Sequence, residues 1–371
     1  MKSIASAPAK IILFGEHFVV HGTKAILAAI DKRVTVTSSF TENKTIRVNS
    51  KLGTLDVPIS SSYKEVKNEF RPFVYLANKM IDSNQNANGL EIEINSDIPV
   101  GVGLGSSSAC CVATTASIYG LVESNCNPNV SSWQFKKLSP EELVEISIEA
   151  EKTIFPDTSG ADCAVCTYGG MIVYDKINGV EKIEDTRWSQ KEIWIGDEDN
   201  DIHTTGLNFI IANSMTPHST KISVDRVKKF KKIHEEDFSN WCQYVTNIIN
   251  GLLYNMDKDA DDPERMPFGF ELQGTMADNR FLLDYLPISN KTITSMISSL
   301  VRGTDDGGAA LPSAKITGAG DGGCIIVLTE DIERDLTKAR GVLGKDKECF
   351  SAKIDTKGVV WNMIYDEDAY E

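Results

Sequence analysis

Between Asp97 and Val112 the chain reads DIPVGVGLGSSSACCV, and this stretch limits the open folds more than any other. Before it runs Leu90-Glu91-Ile92-Glu93-Ile94, apolar at every second position, the pattern of a half-buried strand. Pro99 ends the ladder, glycines recur at Gly101, Gly103 and Gly105, and small helix-tolerant residues continue from Ser106 to Tyr119. The predicted order is strand, glycine loop, helix N-terminus. Glycine lets backbone approach a ligand closely, and the first turn of a helix offers unpaired amides at the positive end of its dipole. Such a place binds an anion, most simply a phosphate. The loop lacks the Gly-Lys-Ser/Thr ending of a Walker loop, and Ser106 stands where a dinucleotide fingerprint needs its third glycine. Taken alone, the stretch reads equally as a tight turn whose glycines serve geometry only.

At 371 residues the chain exceeds what one hydrophobic core usually fills, so two domains are expected. A net charge of -15 argues against general binding to nucleic acid or to anionic membrane surfaces, so an anionic substrate would need a local basic site. No apolar run is long enough to cross a membrane, and the apolar residues near the N-terminus are interrupted by Lys10 and Glu16, unlike a signal peptide. The eight cysteines are scattered; the lone CxxC, Cys163 and Cys166, has no second pair at zinc spacing and lies in a stretch, Cys163 to Tyr168, that reads as a strand. Buried small residues in a reducing cytosol account for it.

In chain order, residues 4 to 14 read as an early strand ending in IILF, with Lys10 at a sheet end. Gly15, Glu16 and His17 make a polar turn before Phe18 to Val20, which reads as a second buried strand; an acid and a histidine between such strands serve structure as readily as catalysis. Ala25 to Ile30 leads to a strand at Arg33 to Thr37, residues 41 to 70 read as hairpins and connection, and Phe73, Leu76, Ala77 and Met80 line one face of a helix. After a polar connection over 123–138, Ser139-Pro140-Glu141-Glu142 is a capped helix start. Val144, Ile148 and Glu151 follow at i, i+4 and i+7, so Glu151 either extends an inward stripe and needs a partner, or sits in a frayed last turn in water. Asp162, in DTSGAD, stands where turn meets strand and reads as a turn aspartate or a functional one. The polar region 176 to 206, with its acidic run Asp197 to Asp201, is the expected boundary between domains at 1–205 and 206–371. Beyond it come a strand at Leu207 to Ala212, a loop through Thr216-Pro217-His218, helices from Val224 to Arg302 interrupted at Asp257 to Pro263 and at Pro287, and a loop over 303–313. A second glycine loop, Lys315 to Cys324, then enters a strand at Ile325 to Leu328, followed by a helix near 331–342 and strands near 350 and 360.

Three segments in this order, APAKIILFGEHFVVHG, PVGVGLGSSSA and KITGAGDGGC, resemble the three signature motifs of the GHMP kinase superfamily. Within it the chain is most similar to the mevalonate kinases, through GEHFVVHG and the SGAD segment. The resemblance implies an α+β fold of two domains, the first like domain 2 of ribosomal protein S5 and the second ferredoxin-like. It implies an enzyme that passes phosphate from ATP to the 5-hydroxyl of mevalonate in isoprenoid precursor synthesis. The alternative is another GHMP small-molecule kinase, such as a phosphomevalonate kinase, whose members usually carry tyrosine at the position of His17. Carried over by position, Asp162 would be the catalytic base, helped by Lys10. Lys10, Glu16, His17, Ile154, Thr220 and Ala319 would meet mevalonate. Gly101, Val102, Gly103, Leu104, Gly105, Ser106, Ser107 and Ser108 would wrap the ATP phosphates, and Ser107 with Glu151 would hold Mg2+, giving Glu151 the partner its inward position demands. A cytoplasmic enzyme, forming a homodimer and binding neither nucleic acid nor membrane, completes the expectation. The chain departs from the commoner motif at Ala9, at Ser108 and at Asp321, an aspartate set inside the third glycine loop.

Overall fold

The computed structural model describes residues 1–81, 89–126, 138–184, 207–217, 219–256, 268–302 and 310–364. Two long strands, β1 (Lys2–Phe14) and β2 (Ala25–Thr41), pair antiparallel and form the spine of an eight-stranded sheet. Beyond β2 lie β5 (Gly89–Ser96), β3 (Thr45–Ser50) and β4 (Gly53–Pro58); β3 and β4 form a hairpin, and β3 runs parallel to β5. The hairpin of β6 (Met171–Asp175) and β7 (Gly179–Ile183) joins the Ala25–Ala28 end of β2. The second sheet is antiparallel, in the order β11 (Glu348–Lys353), β8 (Asn208–Asn213), β10 (Cys324–Thr329), β9 (Lys315–Ile316). By sequence rank that order is four, one, three, two, the ferredoxin-like arrangement.

The last strand, β12 (Val360–Ile364), does not stay with the second sheet. It pairs antiparallel with β1, from Lys2 opposite Ile364 to Ser6 opposite Val360. The chain therefore returns to its beginning, and a single cut at residue 205 or 206 assigns this strand by sequence to the half it does not hydrogen-bond with. Residues 185–206, including the acidic run, and the acidic linker at 257–263 lie outside the described residues, as do His218 and most of the loop 303–313.

Helices cover the sheets. In the first half these are α1 (Arg71–Met80), α2 (Ser106–Cys126), α3 (Pro140–Lys152) and α4 (Ala161–Tyr168), with α2 lying along β1 and β2. In the second half they are α5 (Thr220–Ile233), α6 (Glu235–Met256), α7 (Phe268–Tyr285), α8 (Lys291–Arg302) and α9 (Ile332–Leu343). Ser139 caps α3 in the expected capping box with Glu142. Three local expectations give way. The CxxC stretch is a helix: Gly160, at φ 86°, launches α4, Gly169 and Gly170 stop it, and Cys163 to Cys166 are buried on every side. A helix buried all round has no apolar stripe, so periodicity cannot separate it from a strand. Phe18–His21 is a 3-10 turn ended by Gly22 rather than a strand. Lys10 sits well inside β1, opposite Ala29, and not at its end. No described helix is long and apolar enough to cross a membrane.

Candidate active site

The glycine loop is fastened to β1 at one residue. The amide of Lys10 donates to Leu104 O (2.9 Å) and its ammonium to Gly103 O (3.1 Å). Val102 and Leu104 are buried anchors, and the glycines that alternate with them take φ values of 71°, 83° and 75° at Gly101, Gly103 and Gly105. A side chain at Gly105 would press its Cβ to 2.7 Å from Lys10 Cγ, so the alternation of apolar residue and glycine has a geometric cause. Helix α2 starts directly after. Its first ladder bond runs from Ala109 N to Gly105 O (2.9 Å), which leaves the amides of Ser106, Ser107 and Ser108 outside the ladder.

Asp162 is the second residue of α4, where the helix dipole favours a negative charge, and its carboxylate lies 3.2 Å from Lys10 Nζ. Lys10 is almost wholly enclosed, whereas the Asp162 side chain keeps 33% exposure, so the pair is open on the aspartate side. The small residues of α4 let it pack closely under β1 and α2, which brings this junction to the glycine loop.

Glu151 ends the inward stripe of α3 and is 3% exposed, so the last turn is not frayed into solvent. It accepts hydrogen bonds from Ser108 Oγ, Ser107 Oγ (3.4 Å), Thr158 Oγ1 (2.7 Å) and the Cys163 thiol (3.6 Å). No cation pairs with it among the described residues. Burial, and then the nearby charge of Asp162, push its pKa up, against the pull of the hydroxyl donors. A buried carboxylate ringed by hydroxyl oxygens and facing a second carboxylate suits a hard divalent cation. The described residues hold no cluster of three or more His, Cys, Asp or Glu placed to bind a metal alone, so phosphate oxygens or water would complete the shell.

The first-motif turn meets the third glycine loop. His17, buried, donates from Nε2 to Ala319 O (2.9 Å), and burial lowers its pKa, keeping the ring neutral. Ile12 N donates to Thr317 Oγ1 (2.8 Å). A Cβ at Gly318 would stand 3.4 Å from Gly103 O, so the two glycine loops face each other with room for little more than a methyl group between them. Glu16 turns inward, into an ion pair with Lys315 in which both side chains are fully buried, and accepts from Asn279 Nδ2 (3.1 Å). Asp321 adopts a left-handed conformation (φ 62°), tolerable for aspartate, and its carboxylate accepts from Arg226 Nη2 (3.1 Å) on α5. Ile154 follows α3, half-buried, its amide bonded to Glu151 O (2.9 Å); Thr220 opens α5, exposed, next to the capping Ser219. Neither is joined to the Lys10–Asp162 pair by a hydrogen bond or ion pair among the described residues.

The structure thus gathers Lys10, Asp162, Ser107, Ser108, Glu151 and the loop from Gly101 to Gly105 into one place, with the His17–Ala319 hydrogen bond beside Gly318, which faces that loop. Sequence reasoning missed Lys315, Asn279, Thr158 and Arg226. Only Lys315 carried a signal, a lysine between Ala314 and Ile316 at the head of a motif.

Residues 72–170 match the family of GHMP kinases N terminal domains. A mevalonate kinase of Thermococcus sibiricus is 30% identical over 362 residues, covering 93% of this chain and 94% of that protein. The mevalonate kinase of Pyrococcus furiosus is 31% identical over 358 residues with the same coverage. Among solved structures, Methanococcus jannaschii mevalonate kinase superposes with a TM-score of 0.71 at 23% identity, over 95% of this chain and 98% of that one. L. major mevalonate kinase in complex with R-mevalonate superposes with a TM-score of 0.68 at 20% identity, over 94% and 95%. The two solved structures speak for the α+β fold, and the sequence relatives for the family. The chain is a GHMP kinase and belongs to the mevalonate kinase family. It is therefore a phosphotransferase that takes ATP as donor and a small-molecule alcohol as acceptor.

Proposed function

We propose that this chain transfers the terminal phosphoryl group of ATP to the 5-hydroxyl of mevalonate, giving 5-phosphomevalonate and ADP for isoprenoid precursor synthesis. The observation that carries the reading is the Lys10–Asp162 pair, 3.2 Å apart, at a helix N-terminus and beside the glycine loop, after which the amides of Ser106, Ser107 and Ser108 lie outside the helix ladder. Phosphoryl transfer needs little covalent help; it needs positioning and charge neutralisation. Asp162 is the base. It is open on one side and accepts the hydroxyl proton as the new oxygen–phosphorus bond forms. Lys10 holds Asp162 and Gly103 O together, which fixes the base relative to the loop, and it faces the charge that develops between them. The amides of Ser106, Ser107 and Ser108, with the loop Gly101, Val102, Gly103, Leu104 and Gly105, receive the ATP phosphates. Ser107 and Glu151 would hold Mg2+, which would supply neutralisation of the phosphate charge when bound. Ser108, a departure from the motif, supports that pair by donating to Glu151. His17 and Ala319 form the wall that mevalonate meets, and Ile154 and Thr220 are assigned to its outer edge. A cytoplasmic homodimer belongs to the same reading.

The test is ADP release with Mg2+ and ATP on mevalonate and, separately, on 5-phosphomevalonate. Turnover on mevalonate alone is expected. Asp162→Asn should lower kcat by about 10²–10⁴-fold, the usual worth of a positioned base. Turnover on phosphomevalonate alone, or an unaffected Asp162→Asn, overturns the reading.

A further inference from the structure

Lys315 is a charged residue that the mechanism above does not use. Its three ammonium hydrogens are all engaged, by Glu16 Oε1, by Ile316 O (2.8 Å) and by Ile12 O (3.3 Å). Glu16 is equally committed: Oε1 takes Lys315 and Oε2 takes Asn279 Nδ2 (3.1 Å). Asn279 spends its amide on Glu16 although its own Oδ1, also buried, has no partner. That orientation follows if the carboxylate attracts the N–H side of the amide more strongly than any acceptor satisfies the oxygen.

This cluster ties the first sheet to the second. Ile12 lies two residues after Lys10 on β1, and its backbone is held by Lys315 and by Thr317 Oγ1. His17, next to Glu16, donates to Ala319 O, four residues after Lys315. Gly318 in turn faces Gly103, whose carbonyl accepts from Lys10 and would lie 3.4 Å from a Cβ placed at Gly318. The contacts run around the phosphate loop, and among the described residues the one ion pair within them whose two side chains are both fully buried is that of Glu16 and Lys315.

We propose that Glu16 and Lys315 act as one unit, a buried charge pair that sets the distance between the Lys10 strand and the third glycine loop, so that Lys315 is a positioning residue and Glu16 acts through it rather than on the substrate. This rests on the kinase reading above. Removing one charge leaves the other buried and unpaired, so water must enter or β9 must part from β1, and either moves Ala319 and Gly318 against Lys10 and Gly103. Removing both charges at constant side-chain length leaves the packing in place.

The experiment is a double-mutant cycle of Glu16→Gln, Lys315→Met and the double variant, each measured for kcat, for KM of mevalonate and ATP, and for Tm. Each single variant should lose about tenfold or more in kcat together with Tm, and the double should return to within about threefold in kcat at wild-type mevalonate KM, the coupling expected of a contacting pair. The proposal is overturned if the double keeps a raised mevalonate KM inherited from Glu16→Gln, since Glu16 would then meet the substrate. It is overturned, too, if Tm recovers while kcat stays at the single-variant level, or if the singles keep wild-type kcat. Should the singles fail to fold, the double decides alone: folded and active supports the pair, while unfolded or inactive refutes it. If the wild-type enzyme itself leaves mevalonate untouched, the functional reading fails, and the cycle in Tm and in affinity for a non-hydrolysable ATP analogue still decides the pairing.

Discussion

Two glutamates lie at nearly the same depth in this molecule, Glu16 at 5% exposure and Glu151 at 3%, and their surroundings differ in kind. Glu16 carries its cation inside the fold, Lys315, and adds an amide from Asn279. Glu151 has only neutral donors, three hydroxyls and a thiol, and another carboxylate nearby. A buried carboxylate with an internal counter-charge is complete without a ligand; one that has hydrogen bonds but no counter-charge is completed from outside. In the roles proposed for them, the distinction separates the glutamate that holds the architecture from the one that would take a metal.

The contrast breaks most sharply in stability. Glu16→Gln should destabilise by about 3–5 kcal/mol, the cost of leaving the Lys315 charge buried alone. Glu151→Gln should leave the Tm of the ligand-free protein unchanged or raise it, because it removes a charge that nothing in the fold neutralises. Its cost appears in function instead: kcat lower by about 10²-fold or more, as when one charge-stabilising group is taken from a site. Stabilisation of the wild type by Mg2+ with an ATP analogue should shrink in the same variant. Equal losses of Tm in the two variants, read by thermal unfolding without nucleotide, would erase the distinction.

How much of this was legible beforehand follows from the same physics. Alternation and apolar runs announced β5, β8 and β10, and the 3.6-residue spacing placed Glu151 inward on α3. That the residue stays buried to the last turn needed Ser107, Ser108 and Thr158, which approach from other elements. Helix α4 was hidden because it is apolar all round. The role proposed for Asp162 was readable only through the resemblance of its segment to a family, since a turn aspartate looks the same. Glu16 and Lys315 stand 299 residues apart, and one sequence holds no record of such pairing. The return of β12 to β1 was equally invisible, because a short apolar strand does not name its neighbour.

A milder version of the comparison sits at the surface of the third loop. Asp321 would place a negative charge among phosphate-facing glycines, but Arg226 takes its carboxylate at 3.1 Å. Both side chains are partly exposed, at 42% for Arg226 and 25% for Asp321, so the pair is screened and its loss costs at most about 1 kcal/mol, or about fivefold. Arg226→Ala should raise the KM for ATP by about two- to fivefold, more at low salt than at high, and the further change Asp321→Gly should restore it. A KM that stays raised in the double variant would assign Arg226 to the nucleotide directly.

The smallest effect concerns a group that avoids charge altogether. His21, at the end of the 3-10 turn after His17, accepts at Nδ1 from Lys231 Nζ (3.3 Å), so its proton is on Nε2, which is buried without a partner. Phe238 packs edge-on against the ring at 4.9 Å. Burial, and then Lys231, lower its pKa to about 4. Unfolded, the ring titrates near 6.5. Between those values the unfolded state binds a proton that the folded state refuses, so stability falls as pH drops from about 6.5 to about 4, with no further loss below. His21→Gln should remove this part of the acid limb, changing the difference from wild type across that window by about 1 kcal/mol once solvent screening is allowed for. The difference should stay flat from pH 7 to 9, since the folded ring is already neutral there; a slope on the alkaline side would mean that His21 holds its proton against Lys231. Glu16 has a counter-charge inside the fold and Glu151 has none, whereas His21, beside a lysine it cannot neutralise, gives its charge up.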